Sequence, residues 1–145
     1  MQAHGVWRGG FQTELDDGRG HVVTVDLPLD EEGNDLGTSA LELCAMSLAG
    51  CIATIFSLVA KRRRLSYEAM TLHLEVDRPE GAPTITAVSG EVQVTTRALP
   101  EEVDTVLRLT LRTCPVGVLL GEAGIPVRVL AVVCPPSSSA LGSPA

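Results

Sequence analysis

Positive charge is scarce in this sequence. Only 11 lysines and arginines stand against 18 aspartates and glutamates, a formal net charge of −7. A phosphate backbone repels such a surface, so nucleic-acid binding is disfavoured. The one dense cationic stretch is Lys61, Arg62, Arg63 and Arg64. The opening MQAHGVWRGG has no long apolar run and no small-residue cleavage site, which predicts a cytoplasmic protein with reduced thiols. No CxxC pair occurs among Cys44, Cys51, Cys114 and Cys134, and no histidine lies near any of them, which argues against a structural zinc site. Four cysteines in a reducing compartment point to chemistry or packing rather than a disulfide framework. At 145 residues the chain suits one domain able to bury roughly two-thirds of its unfolded surface.

One long apolar run is present. Leu43 to Ala60 carries no formal charge and ends at the four cations. Its length approaches that of a membrane span. Ser47, Gly50, Thr54 and Ser57 dilute its apolarity, and no other stretch resembles it. A helix buried on all sides of a soluble core accounts for the same pattern, with the cations at the end its dipole favours. The expectation is therefore a central core helix and no membrane.

Around that helix the chain reads as strands. Gln12 to Leu15 and His21 to Leu27 look extended, with Asp17-Gly18 as a hairpin turn between them. The loop DEEGNDLGTS offers Thr38 or Ser39 as N-cap, with Glu42 in the first helical turn. Thr71 to Asp77 alternates through Leu72, Leu74 and Val76, and Ala87 to Thr95 through Val88, Val92 and Val94, with Gly90 interrupting. Residues 79–83 form the turn between them. Pro100 opens a second helix with Glu101, Glu102 and Asp104 first, Arg108 and Arg112 last, and Val103, Val106, Leu107 and Leu111 as its apolar face. A strand from Pro126 to Val133 follows. The predicted class is α+β with antiparallel sheet, one domain over 1–134, and a Pro/Ser-rich tail over 135–145.

Spacing sorts the thiols. Cys44 and Cys51 share nearly one helix face but stand about 10 Å apart along the axis, too far for a disulfide. Cys134 falls where the ordered chain is ending. Cys114 directly precedes Pro115, which disfavours helical dihedrals at Cys114 and suits the first position of a short further helix. As that helix's N-cap, Cys114 is expected to have a lowered pKa. Cys51, in mid-helix, gains nothing from its own dipole and would need a cation, an arginine being the natural supplier. Two readings stand side by side for both cysteines, reactive thiols or small core residues.

The segment ALELCAMSLAGCIATIF with KRRR, then two strands, a helix and CPVGVLLGEAGIPVRV, resembles the OsmC/Ohr family of osmotically inducible and organic-hydroperoxide-resistance proteins. The similarity runs from about Trp7 to Val133. Its strongest parts are Glu42 to Cys51 and the Cys114-Pro115 motif with its following I-P-V-x-V strand. The Cys-Pro-Val sequence places the chain nearer the general OsmC-like group than the hydroperoxide branch.

The resemblance implies an intertwined homodimer with antiparallel sheets around a buried central helix. It implies thiol peroxidase chemistry in which Cys51 attacks a hydroperoxide and Cys114 resolves the sulfenic acid to a disulfide. An external dithiol reductant, lipoyl-linked in the best-known members, restores the thiols. No metal or organic cofactor is called for. An arginine and a glutamate beside the thiolate are carried over as Arg19, with Arg8 as alternative, and Glu42. Glu42 precedes Cys51 by nine residues, about 900° of regular helix, which turns the two to opposite faces. The other class of function left open is a non-catalytic dimeric module holding an apolar ligand.

Overall fold

The structure, a computed structural model, describes residues 1–137. The chain resolves into two compact units, Met1–Met46 and a larger one that begins at Ser47. Most of the expected 135–145 tail lies outside the described residues.

The first unit is an antiparallel sheet of β1 (His4–Gly9), β2 (Gln12–Asp16) and β3 (Val22–Val25), in that order. β1 goes beyond the sequence-based expectation. Its turn into β2 uses Gly9 and Gly10, whose φ values of 122° and 52° a side chain would resist. The Asp17-Gly18 turn forms as expected, and β3 stops at Val25. Asp26, 2% exposed, then folds its carboxylate under the following loop. It accepts the N–H groups of Leu27, Asn34 and Leu36 at 2.9, 3.2 and 3.2 Å, and its own N–H reaches the Thr38 carbonyl at 3.1 Å.

α1 spans Ala40–Arg63. Ser39 caps it through a reciprocal pair: its hydroxyl accepts the Glu42 N–H at 3.2 Å, and the Glu42 carboxylate accepts the Ser39 N–H at 2.7 Å. At the far end Arg64 turns left-handed, φ 58°, and the Leu65 N–H reaches back to the Ala60 carbonyl at 2.9 Å. Within this chain the helix is not buried on all sides, which corrects the sequence-based expectation. Leu48, Ile52, Phe56 and Ala60, spaced four apart, are the buried stripe, while Leu58 is 46% exposed. An apolar sequence without amphipathic contrast does not mark which stripe faces its own chain.

In the second unit β4 (Ala69–Asp77), β5 (Ala87–Thr95) and β6 (Val127–Cys134) form a sheet in that order. β4 and β5 pair antiparallel, but β6 runs parallel to β5. The expected antiparallel pairing therefore holds for β1–β2, β2–β3 and β4–β5, and β6 alone departs from it. α2 (Pro100–Thr113) and α3 (Pro115–Glu122) fill the long connection that a parallel neighbour requires. Gly90, opposite Leu74, is a packing device: a Cβ there would sit 2.1 Å from the His73 carbonyl oxygen. α2 buries Val103, Val106, Leu107 and Thr110, leaving Leu111 half-buried. Each buried aliphatic side chain on this face is worth roughly 1.5–3 kcal/mol over an exposed one.

Candidate active site

Two helices bring two sulfurs together. Cys51 stands midway along α1, one residue before buried Ile52, so that it lies beside the buried stripe and is itself half-buried. Cys114 sits between α2 and α3, where Pro115 prevents one helix from running into the next. Its N–H still closes the last turn of α2 on the Thr110 carbonyl at 2.8 Å. Its φ and ψ of −65° and 114° are extended, and its sulfur accepts the Gly117 N–H of α3 at 3.4 Å. The N-cap role expected from the proline is therefore present. The two Sγ atoms, from residues 63 apart in sequence, lie 2.9 Å from each other with the Cys114 thiol as donor. All four cysteines are thiols rather than disulfides.

The electrostatics of Cys114 run opposite to the sequence-based expectation. Burial pushes its thiol from 9.0 up to about 11, and the bond to Cys51 adds to the rise. The N–H groups of Gly117 and Val116 oppose that shift. A helix N-terminus favours thiolate, but taking the charge out of water costs more here. Cys114 is 0% exposed, a fact that no local sequence signal carries. Its thiol therefore holds its proton to higher pH than an ordinary cysteine, and the S–H points at the Cys51 sulfur.

The helper residues each have partners within their own unit. Arg19, in the β2–β3 turn, directs Nε and a terminal nitrogen onto Asp17 at 2.8 and 2.7 Å. The same carboxylate takes the His21 ring nitrogen at 2.7 Å; that bond first, then those from Arg19, holds Asp17 well below the usual carboxylate range. Arg8 on β1 pairs across the hairpin with Glu14 of β2. Glu42 spends its carboxylate on the cap of α1, and its bonds to Ser39 and Thr38 lower its pKa.

Two features of the site were not singled out from the sequence. Gly117 supplies the amide at the Cys114 sulfur; its position two residues beyond Pro115, the third of a new helix, is the signal that marks it. Alongside α1 and α2 runs a groove of about 400 Å³ lined by Ile55, Leu58, Val59, Leu109 and Thr113, with Arg62 and Arg63 at one end. Ile55 is one turn beyond Cys51 and Thr113 directly precedes Cys114 in the chain, while the two cysteines themselves do not line the groove. Among the described residues no cluster of histidine, cysteine, aspartate and glutamate is arranged to hold a metal ion.

A helix-borne thiol facing a second thiol at a helix junction, beside an apolar groove, defines a dithiol protein of α+β fold. The OsmC-like protein family matches residues 33–129, and the chain belongs to that family. Among solved structures, an OsmC-like protein from Mycoplasma pneumoniae superposes with a TM-score of 0.79 at 14% identity, over 91% of this chain and 95% of that one. An organic hydroperoxide resistance protein OsmC from Legionella pneumophila gives 0.72 at 18% identity, over 91% and 96%. An organic hydroperoxide resistance protein from Elizabethkingia anophelis gives 0.73 at 18%, over 91% and 94%. These likenesses establish the fold. Among curated protein sequences none matches the chain significantly.

Proposed function

We propose that this protein is a thiol-dependent peroxidase that reduces organic hydroperoxides. The observation that carries the reading is the 2.9 Å approach of Cys51 and Cys114. In the first step the Cys51 thiolate attacks the distal peroxide oxygen; the O–O bond breaks, that oxygen stays with its hydrogen on Cys51 as a sulfenic acid, and the alkoxide leaves and takes a proton from water to become the alcohol. Cys114 then attacks that sulfur, expelling water and forming a disulfide. Two electrons from a dithiol, lipoyl-linked by analogy with the family, restore both thiols. The apolar groove suits an alkyl or aryl substituent on the peroxide.

A homodimer belongs to the same reading. α1 buries one stripe within its own chain, and a second copy would cover the apolar faces that remain. The cytoplasm, whose reductants sustain such a cycle, is the compartment that suits it.

The test is turnover of cumene hydroperoxide with a dithiol, followed by mass spectrometry of the peroxide-treated protein digested without reductant. A Cys51–Cys114 disulfide with steady peroxide consumption is expected. No consumption, or a disulfide between other cysteines during turnover, overturns the reading; ligand retention without consumption would favour a non-catalytic apolar-ligand module.

A further inference from the structure

The cycle above leaves open which sulfur of the Cys51–Cys114 disulfide the reductant attacks. Resting on that cycle, we propose that Cys51 meets both external reactants, the peroxide oxygen and later the reductant's thiol, and that Cys114 leaves inward onto the amide of Gly117. Cys114 is 0% exposed in this chain alone, and a second copy only adds cover. A groove of about 520 Å³ that touches Leu111, Gly117 and Gly121 does not include Cys114 in its lining. In this chain Cys51 keeps part of its surface and stands one helical turn before Ile55, which lines the α1–α2 groove.

In-line attack demands access to the sulfur opposite the leaving group, so exposure selects Cys51. The reductant thiolate bonds to the Cys51 sulfur, the bond to Cys114 breaks, and its electron pair leaves on Cys114 as thiolate. The reductant's second thiolate then attacks its own sulfur in the mixed disulfide. The Cys51 thiolate is released and the reductant closes to its cyclic disulfide. Two electrons pass to the protein, and the two protons lost by the dithiol are available to Cys51 and Cys114.

A buried thiolate is a poor leaving group unless donors meet it, and departure improves as its basicity falls. The Gly117 N–H is 3.4 Å from the Cys114 sulfur and bonds to no carbonyl, because it lies in the first turn of α3. It is already aimed where the negative charge arrives. Gly117 is thus a positioning residue for the reductive half of the cycle.

The experiment maps the mixed disulfide on the unmodified chain. Protein oxidised with one equivalent of cumene hydroperoxide receives substoichiometric 2-mercaptoethanol, is quenched in acid, and is alkylated with N-ethylmaleimide in denaturant. Peptides digested without reductant should carry mercaptoethanol on Cys51 and maleimide on Cys114. Mercaptoethanol on Cys114 overturns the proposal. If no Cys51–Cys114 disulfide is present before the thiol is added, the peroxidase reading fails and takes this inference with it. The amide is tested by replacing Gly117 with glycolic acid, an ester that removes the N–H without adding an atom, against Gly117→Ala, whose Cβ would meet Cys114 at an ordinary 3.6 Å. Dithiothreitol should reduce the oxidised ester protein at least tenfold more slowly than the wild-type chain and the Ala variant within twofold of it. Equal rates in all three overturn the role given to Gly117.

Discussion

Replacing Cys114 with Ser removes a group whose ionisation is coupled to folding. In the folded chain burial, reinforced by the bond to Cys51, lifts the Cys114 thiol from 9.0 to about 11. A raised folded pKa means that the native state holds its proton where the unfolded chain has released it. The resulting stabilisation is complete below pH 9 and is lost as pH rises through 11. Two pH units correspond to at most about 3 kcal/mol, and solvent beside half-buried Cys51 brings the expected value nearer 2 kcal/mol. Urea unfolding under reducing conditions, at one protein concentration from pH 8 to pH 11, measures it. Groups common to both proteins largely cancel in the comparison. The wild-type chain should therefore lose about 2 kcal/mol more stability than Cys114→Ser over that range. Parallel pH dependences would refute the argument that burial dominates at Cys114.

Cys51→Ser should abolish peroxide consumption, since a neutral hydroxyl is a far weaker nucleophile than a thiolate; turnover that persists in this variant removes Cys51 from the mechanism. Cys114→Ser should react once and then stall, leaving a sulfenic acid that dimedone traps and that excess peroxide drives to the sulfinic state; continued turnover without adduct contradicts a resolving role. Phe56→Ala, at a 0% exposed position whose ring packs edge-on against Tyr67 with centroids 5.8 Å apart, should cost about 3–5 kcal/mol in chemical denaturation, and a loss below about 1 kcal/mol would mean the stripe is not core. Arg19→Ala separates two roles: a shifted pH profile for Cys51 alkylation supports a cation at the thiolate, whereas an unchanged profile leaves the residue to its turn with Asp17.

Legibility in the sequence followed the range of the forces involved. α2 was readable because Pro100, the acidic first turn and Val103, Val106 and Leu107 all act within a few residues. The junction at Cys114 was readable for the same reason, Pro115 being its immediate neighbour. The Ser39–Glu42 cap likewise follows from a three-residue spacing. β1 escaped notice, although Gly9-Gly10 is a hairpin turn signal, because HGVWRG is short and lacks the alternation that marks a strand. The parallel placement of β6 depends on how α2 and α3 return the chain. The Cys114 pKa depends on burial by distant residues. Neither is encoded in a local pattern, and the local argument from the helix dipole gave the wrong sign.

Asp26 has a consequence for the durability of the chain. A run such as DEEGND, polar and glycine-bearing, is ordinarily where a protease nicks a folded protein, because the cut needs several residues of extended, detached backbone. Here the amides of Leu27, Asn34 and Leu36 are all tied to one enclosed carboxylate, and residue 26 is itself tied to Thr38. Detaching any part of the loop releases several of these bonds together, and resistance to cleavage follows from that shared dependence rather than from the loop's own residues. One side chain thus decides whether the lead into α1 behaves as a clasp or as a scissile strand, and Asp26→Ala would convert the first into the second.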